Sequence, residues 1–250
     1  MTDTDAVSQP VILLVVGGDP VAPVRLPASL RRGSVVVAAD SGLDRLAGGL
    51  RAHHVVGDLD SVSDAALRHA RAEGAEIHRH PADKDATDIE LALDLVVHEL
   101  VPATGLRSLL VVGGGAGRLD HLLADVLLLA SPALASVEVT ARLGAATVSI
   151  VRPGAARTLV GGPHEQVSLL PLHGPAERVA TTGLRWPLVD AHLAAGTTRA
   201  MSNEFSGGPA SVGIGAGVLA VIQPGTTAPP IDPRPTPYDP TIPAPQGDPT

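Results

Sequence analysis

Two short acidic clusters hold the residues best suited to chemistry: Gly57-Asp58-Leu59-Asp60-Ser61 and Lys84-Asp85-Ala86-Thr87-Asp88. In the first, the apolar pair Val55 and Val56 runs into Gly57 and then into two aspartates at i and i+2. On an extended chain that spacing points both side chains the same way, about 6.6 Å apart along the strand. Two carboxylates brought within about 4 Å repel by about 4 kcal/mol at an effective dielectric of about 20, so a fold that gathers them usually supplies a cation. Mg2+ fits best, because it takes carboxylate oxygens together with substrate phosphates. The chain offers neither the thiolates nor the closely spaced histidines of a zinc site.

The second cluster opens a helix. Thr87 and Glu90 have the S/T-x-x-E spacing of a capping box, and Ile89, Ala92, Leu93, Val96 and Leu100 form an apolar stripe behind it. Asp85 and Asp88 flank that helix start, where the dipole alone stabilises a carboxylate, so capping and ligand binding are both open to them. Lys84 is the only lysine among 18 basic residues. In a chain that otherwise uses arginine, a single lysine beside an acidic cluster suggests a place that needs a compact ammonium for a phosphate oxygen, with chance placement as the alternative. A third group, Arg118-Leu119-Asp120-His121, follows a glycine turn at 113–117. Arg118 there makes an N-terminal ion pair or reaches a phosphate or a purine.

Several familiar signatures are missing. Arg118 stands where G-x-G-x-x-G needs its last glycine, and no G-x-x-x-x-G-K-S/T occurs, which argues against a dinucleotide fingerprint and a P-loop. His53-His54 and His78-Arg79-His80 lack the i, i+4 spacing of helical zinc ligands and read as surface or strand-end residues.

The elements that must position these groups alternate in type. Aliphatic runs at Val11–Val16, Val35–Ala39, Val55–Val56 and Leu109–Val112 each end in Gly or Asp, the pattern of strands buried on both faces of a parallel sheet. Helical periods lie between them: Leu43, Leu46 and Leu50; Ala65–Ala72, opened by Ser63 and closed by Gly74; and Ile89–Leu100. The apolar segment Leu119–Ala130 predicts a more deeply buried helix. Such alternation predicts an open parallel α/β sheet with its site along the carboxyl edge, where the glycines and aspartates fall. After Pro132 come short β-rich pieces (Val137–Leu143, Thr147–Val151, Arg157–Val160, Gln166–Leu170, Val218–Ile222) at the spacing of an all-β sandwich or barrel. The expected division is 8–133 for the α/β domain, 136–223 for the β domain and 224–250 for a proline-dense tail without packed structure.

With 250 residues the chain is long enough for two domains, and with one Trp, one Tyr and one Phe its core must be aliphatic. A formal charge of −8 without a basic run argues against nucleic acid or an anionic membrane as the main partner. The absence of cysteine excludes thiol chemistry and suits a reducing cytoplasm, and no apolar run approaches the length of a membrane span.

The order and spacing of Asp40-Ser41-Gly42, Gly57-Asp58-Leu59-Asp60-Ser61, Lys84-Asp85-Ala86-Thr87-Asp88 and Gly117-Arg118-Leu119-Asp120-His121 resemble those of thiamine pyrophosphokinases. So do Val167–Leu172, Gly183-Leu184-Arg185-Trp186-Pro187-Leu188 and Ser202-Asn203-Glu204-Phe205 further on. The resemblance implies an N-terminal domain that binds ATP and Mg2+, a C-terminal β domain, and a homodimer with thiamine held between subunits. It implies transfer of the pyrophosphoryl group of ATP to thiamine, giving thiamine diphosphate and AMP. Carried over by residue, Asp58, Asp60 and Asp85 would hold the metal with Asp40 close by. Ser41, Lys84, Thr87 and Asp88 would meet the phosphates or their water shell. Arg118, Asp120 and His121 would lie near the nucleotide, and Trp186, Ser202 and Asn203 near thiamine, with the indole stacked on its cationic ring. Ser41 replaces a common glycine and Leu59 a common phenylalanine, and neither removes a ligand. Asp60 or Asp40 would take the proton from the attacking hydroxyl. Two other readings compete: a non-catalytic sensor of nucleotide or thiamine diphosphate, and a metal-dependent phosphohydrolase.

Overall fold

A computed structural model describes residues 9–18, 23–25, 32–115, 117–154 and 156–225. The expected tail from 226 onward and the turn residues Asp19 and Pro20 lie outside the described residues. The architecture is mixed α/β, with a mainly parallel sheet and a separate antiparallel sheet, and the chain divides into two compact units.

The first unit is built on β1 (Ile12–Val15), β2 (Val35–Ala39), β3 (His54–Gly57), β4 (Glu76–Arg79), β5 (Ser108–Gly113) and β6 (Glu138–Leu143). They lie side by side in the order β6-β5-β1-β2-β3-β4, every pairing parallel. The four aliphatic strands are as expected, and β1 is buried along its whole length. Two strands were not placed by sequence. β4 carries Ile77 among polar residues and sits at the edge, where a polar strand is tolerated. The β-rich segment Val137–Leu143, expected with the second domain, instead pairs in parallel with β5 from Ser108↔Glu138 to Gly113↔Leu143.

Helix α1 (Asp64–Ala72) starts where expected, with Ser63 Oγ accepting from the Ala66 N–H at 3.2 Å. Helix α2 (Asp88–Leu95) is capped by Thr87 Oγ1, which accepts from the Glu90 N–H at 3.4 Å, and runs through a π turn at Val96–Leu100. The period at Leu43, Leu46 and Leu50 does not become a helix. A 3-10 turn at Asp40–Arg45 gives way to a bridge between Val24 and Leu46. Leu43 still packs with Val55, Leu59 and Ala70, so the period marks burial without marking a helix. Helix α3 (Leu119–Leu129) differs more: only Leu129 is buried, and Leu119, Leu123 and Leu127 are 67%, 56% and 45% exposed. At i, i+4 and i+8 they form one apolar stripe facing solvent.

The second unit is antiparallel. β7 (Ala146–Val151), β9 (Gln166–Pro171), β12 (Asn203–Glu204) and β14 (Leu219–Gln223) run in the order β12-β9-β14-β7. The separate sheet is β11-β10-β13-β8, from β8 (Arg157–Leu159), β10 (Ala176–Thr182), β11 (Ala191–Leu193) and β13 (Ala210–Gly213). Both sheets contribute to one aliphatic core that includes Val167, Leu169, Val179, Leu193, Val212 and Val221, closed by the fully buried Phe205. That is the construction of a sandwich. Among the described residues no helix is long and apolar enough to cross a membrane.

Candidate active site

The carboxyl ends of β2 and β3 carry the acidic cluster. After Ala39 the backbone of Asp40 is left-handed (φ 44°), a conformation aspartate adopts more readily than most residues. It opens the 3-10 turn, where Gly42 passes so close to Val15 O that a side chain there would collide with it. Buried Arg45 braces the same turn, its Nη1 donating to Val16 O (2.6 Å) and Gly17 O (3.2 Å).

β3 ends at Gly57 (φ 141°), where a Cβ would lie 2.9 Å from Asp88 Oδ1 and 3.4 Å from Asp40 Cβ. Glycine is required there both for backbone and for space. Asp58 and Asp60 then converge, although not along an extended strand. Leu59 is left-handed (φ 66°), and the Asp60 N–H donates to Asp58 Oδ1 at 3.3 Å, which makes an aspartate turn. A leucine held there costs about 1–3 kcal/mol. Its burial among Ala38, Val55 and Ala70 offsets that cost.

One carboxylate oxygen from each of Asp40, Asp58 and Asp60 lies within 4.8 Å of the others. Lys84 Nζ stands 3.0 Å from Asp58 Oδ2 and 3.0 Å from Asp88 Oδ1. Burial would lower the Lys84 pKa, but its bonds to Asp88 and Asp58 outweigh this and raise it. The Lys84 hydrogen bond, seconded by the Asp60 N–H, holds the Asp58 carboxyl below the usual range. Asp40 moves the other way. Burial pushes its carboxyl up, the Ser41 N–H opposes the shift, and the charges of Asp88, Asp58 and Asp60 add to it. Asp40 Oδ1 is buried, and among the described residues none donates a hydrogen bond to it. One ammonium thus faces several carboxylates, and the donor set is oxygen only, as hard divalent cations require. Asp85 is exposed and is not part of the three-carboxylate group.

Beside the cluster lies a cleft of about 590 Å³, lined among others by Gly17, Gly18, Asp40, Ser41, Thr87, Asp88, Gly114, Arg118 and His121. It joins the ends of β1, β2 and β5 to the N-termini of α2 and α3, a setting suited to phosphate. Asp120 is exposed and holds Arg118 through two contacts, Nη2 to Oδ2 at 2.6 Å and Nε to Oδ1 at 3.2 Å. The guanidinium lowers the Asp120 carboxyl to about 2. Sequence reasoning missed Asp125, which also lines the cleft and whose pKa is raised by burial. Its signal was the i, i+4 offset from His121 within an otherwise apolar helix.

In the second unit, Trp186 is 52% exposed and so is no core residue. Buried Asn203 clamps its backbone: Oδ1 accepts from the Trp186 N–H at 3.1 Å, and Nδ2 donates to Trp186 O at 2.7 Å. The same Oδ1 accepts from the Glu204 N–H at 2.8 Å, so the Asn203 amide is engaged in positioning its neighbours. The Arg185 guanidinium sits 4.6 Å from the centre of the indole and is held by Glu204 Oε2 at 3.0 Å. Ser202 is exposed, with a left-handed backbone (φ 53°) and its N–H donated to Ser168 Oγ at 3.0 Å.

Comparison with known proteins agrees with this architecture. Residues 27–141 match the family model for the thiamin pyrophosphokinase catalytic domain, and residues 159–219 that for the thiamin pyrophosphokinase vitamin B1 binding domain. The chain belongs to the thiamine pyrophosphokinase family. It is 24% identical over 170 residues to the thiamine pyrophosphokinase of Bacillus subtilis, covering 67% of this chain and 76% of that one. The crystal structure of thiamine pyrophosphokinase from Bacillus subtilis shares the fold, with a TM-score of 0.70 at 22% identity, over 86% of this chain and 99% of that one. A thiamin pyrophosphokinase family protein from Enterococcus faecalis superposes equally well, with a TM-score of 0.70 at 28% identity, over 85% and 98%.

Proposed function

We propose that this protein transfers the pyrophosphoryl group of ATP to the hydroxyl of thiamine, releasing thiamine diphosphate and AMP. The observation that carries the reading is the convergence of Asp40, Asp58 and Asp60, with Lys84 bound to Asp58, beside a cleft floored by glycine turns. Asp58 and Asp60 would hold Mg2+, with Asp40 as the nearest further oxygen donor and Asp85 as a candidate ligand from the exposed loop. The buried, unpartnered Asp40 Oδ1 and the oxygen-only donor set fit that ion. When bound, Mg2+ would neutralise triphosphate charge that carboxylates alone would repel.

The chain's own residues do the positioning. Lys84 presents its ammonium to a phosphate oxygen, and Gly17, Gly18 and Gly114 leave the backbone open to close approach. Thr87 and Asp88 orient the phosphates or their water shell, and Arg118, steadied by Asp120, reaches the nucleotide together with His121. Of the two candidate bases, Asp40 and Asp60, Asp40 is the better: burial raises its pKa, and its carboxylate oxygen not given to the metal can accept the thiamine hydroxyl proton as the hydroxyl oxygen attacks the β-phosphorus in line. In the second unit, the exposed face of Trp186 would stack on the thiazolium, with Ser202 at the rim and Asn203 fixing the indole. The exposed stripe of Leu119, Leu123 and Leu127 supports a homodimer, in which thiamine would lie between subunits. A cytoplasmic enzyme is the matching location.

The test is to incubate the protein with thiamine, ATP and Mg2+ and separate the products. Equimolar thiamine diphosphate and AMP are expected. Phosphate release without thiamine diphosphate would make the protein a phosphohydrolase, and binding of thiamine diphosphate without turnover would make it a sensor.

A further inference from the structure

β3 carries the acidic cluster at its carboxyl end, and earlier on the same strand it carries His54. Parallel pairing sets His54 opposite Glu76 and Val56 opposite His78 on β4. Residues two apart on a strand share a face, so His54, Glu76 and His78 meet on one side of the sheet. His54 Nδ1 lies 3.1 Å from His78 Nε2 and 3.6 Å from Glu76 Oε2, and His78 Nε2 lies 3.8 Å from Glu76 Oε1. One ligand atom from each residue falls within 4.8 Å of the others. Sequence spacing hid this group, because the two histidines meet only through strand pairing, and both are largely shielded rather than on the surface.

Two imidazoles so placed could simply share a hydrogen bond. That arrangement does not account for the carboxylate, whose distances of 3.6 and 3.8 Å exceed a hydrogen bond. A tetrahedral ion with bonds of about 2.0–2.1 Å holds its ligand atoms about 3.3–3.4 Å apart. The two nitrogens, 3.1 Å apart, are close to that value, and the Glu76 carboxylate approaches His54 through Oε2 at 3.6 Å and His78 through Oε1 at 3.8 Å, so a small turn of the exposed carboxylate brings one oxygen to both. The His54 side chain is 17% exposed and that of His78 19%, while Glu76 at 66% leaves an entry path from solvent. Burial, seconded by the neighbouring His78, lowers the His54 pKa and keeps its lone pair free for a metal.

We propose that His54, Glu76 and His78 form a Zn2+ site, with two imidazole nitrogens and one carboxylate oxygen as ligands and the fourth position open to solvent. The ion fastens β4 to β3. β4 is the sheet's edge strand and leads into the segment that carries Lys84, so the site stiffens the approach to the acidic cluster. Imidazole ligands also separate this site from the oxygen-only cluster, which Mg2+ suits.

The experiment uses the full chain without a histidine tag, stripped of metal and then supplied with excess Mg2+ to fill the oxygen-only cluster. Zn2+ is titrated against a chromophoric chelator, with Co2+ as a spectroscopic probe. One Zn2+ of micromolar or tighter affinity is expected, with the intense visible absorption of tetrahedral Co2+. Tm should rise by about 5–10 °C at about 100-fold excess over Kd. His78→Gln and, at an exposed position, Glu76→Gln should each weaken Zn2+ on the order of 10- to 100-fold. Asp60→Asn should leave Zn2+ affinity unchanged. Absence of Zn2+ binding, unaltered affinity in both ligand variants, or loss on Asp60→Asn overturns the proposal.

Discussion

At the carboxyl edge of β2 and β3, several carboxylates share one lysine, and Asp40 and Leu59 are held at positive φ without being glycine. At the Trp186 corner both ends of the Asn203 amide are hydrogen-bonded, yet a large aromatic stands in solvent. The first region stores electrostatic and backbone tension that a bound cation would relieve. The second is locally satisfied, and its cost is only the exposed indole that a flat cationic ring would cover. A charged phosphate transfer needs fields that exist before substrate arrives, whereas recognition of an aromatic cation needs only a rigid face.

The comparison breaks most sharply at the metal ligands. Asp58→Asn and Asp60→Asn each remove an anionic oxygen at constant volume and should lower kcat/KM by on the order of 100- to 1000-fold at limiting Mg2+, with the fold left intact. Near-normal turnover by either variant would remove that residue from the metal site. Trp186→Ala tests the other region and should weaken thiamine by roughly 30-fold, equivalent to about 2 kcal/mol, while Mg-ATP affinity stays the same. A steady thiamine affinity with a fallen Tm would return Trp186 to a structural role.

Asn203→Ala should raise KM for thiamine by about 10-fold, with kcat little changed, by loosening the backbone under the indole. Because it acts through Trp186, adding it to Trp186→Ala should cost almost nothing further in thiamine affinity. A fully additive double variant would show that Asn203 meets thiamine itself.

Much of the acidic edge was legible because its residues lie at strand ends, where a local motif is also a spatial one. Its geometry was not. The i, i+2 rule predicted an extended pair, but burial of Leu59 bends the chain into a turn that still brings Asp58 and Asp60 together. The leucine period at Leu43, Leu46 and Leu50 gave burial correctly and the helix wrongly, since Gly42 is drawn against Val15 and Leu46 is bridged to Val24. Hydrophobicity also does not say what covers a surface: α3 was expected to be buried, yet shows Leu119, Leu123 and Leu127 to solvent. Pairing partners are the other gap. Neither the parallel docking of β6 on β5 nor the meeting of His54 with His78 follows from spacing along the chain.

The smallest expected effect concerns stability and sharpens the idea of stored tension. Burial and the charges of Asp88, Asp58 and Asp60 raise the Asp40 pKa above its ordinary value of 3.8. Between that value and the raised one, the folded protein binds more proton than the unfolded chain, so stability falls as pH rises through this window. Above it, ionised Asp40 carries its full penalty in the metal-free protein; below 3.8 the penalty is absent. Asp40→Asn removes the charge and keeps the shape. In excess chelator at neutral pH this variant should therefore melt a few degrees higher than the unsubstituted protein, and the gain should shrink as the pH is lowered toward 3.8. Saturating Mg2+ should reverse the order by stabilising only the chain with all its carboxylates. A metal-free Asp40→Asn protein that melts lower at every pH would mean that the carboxylate is a net structural contributor, and that the acidic edge holds no tension for a cation to relieve.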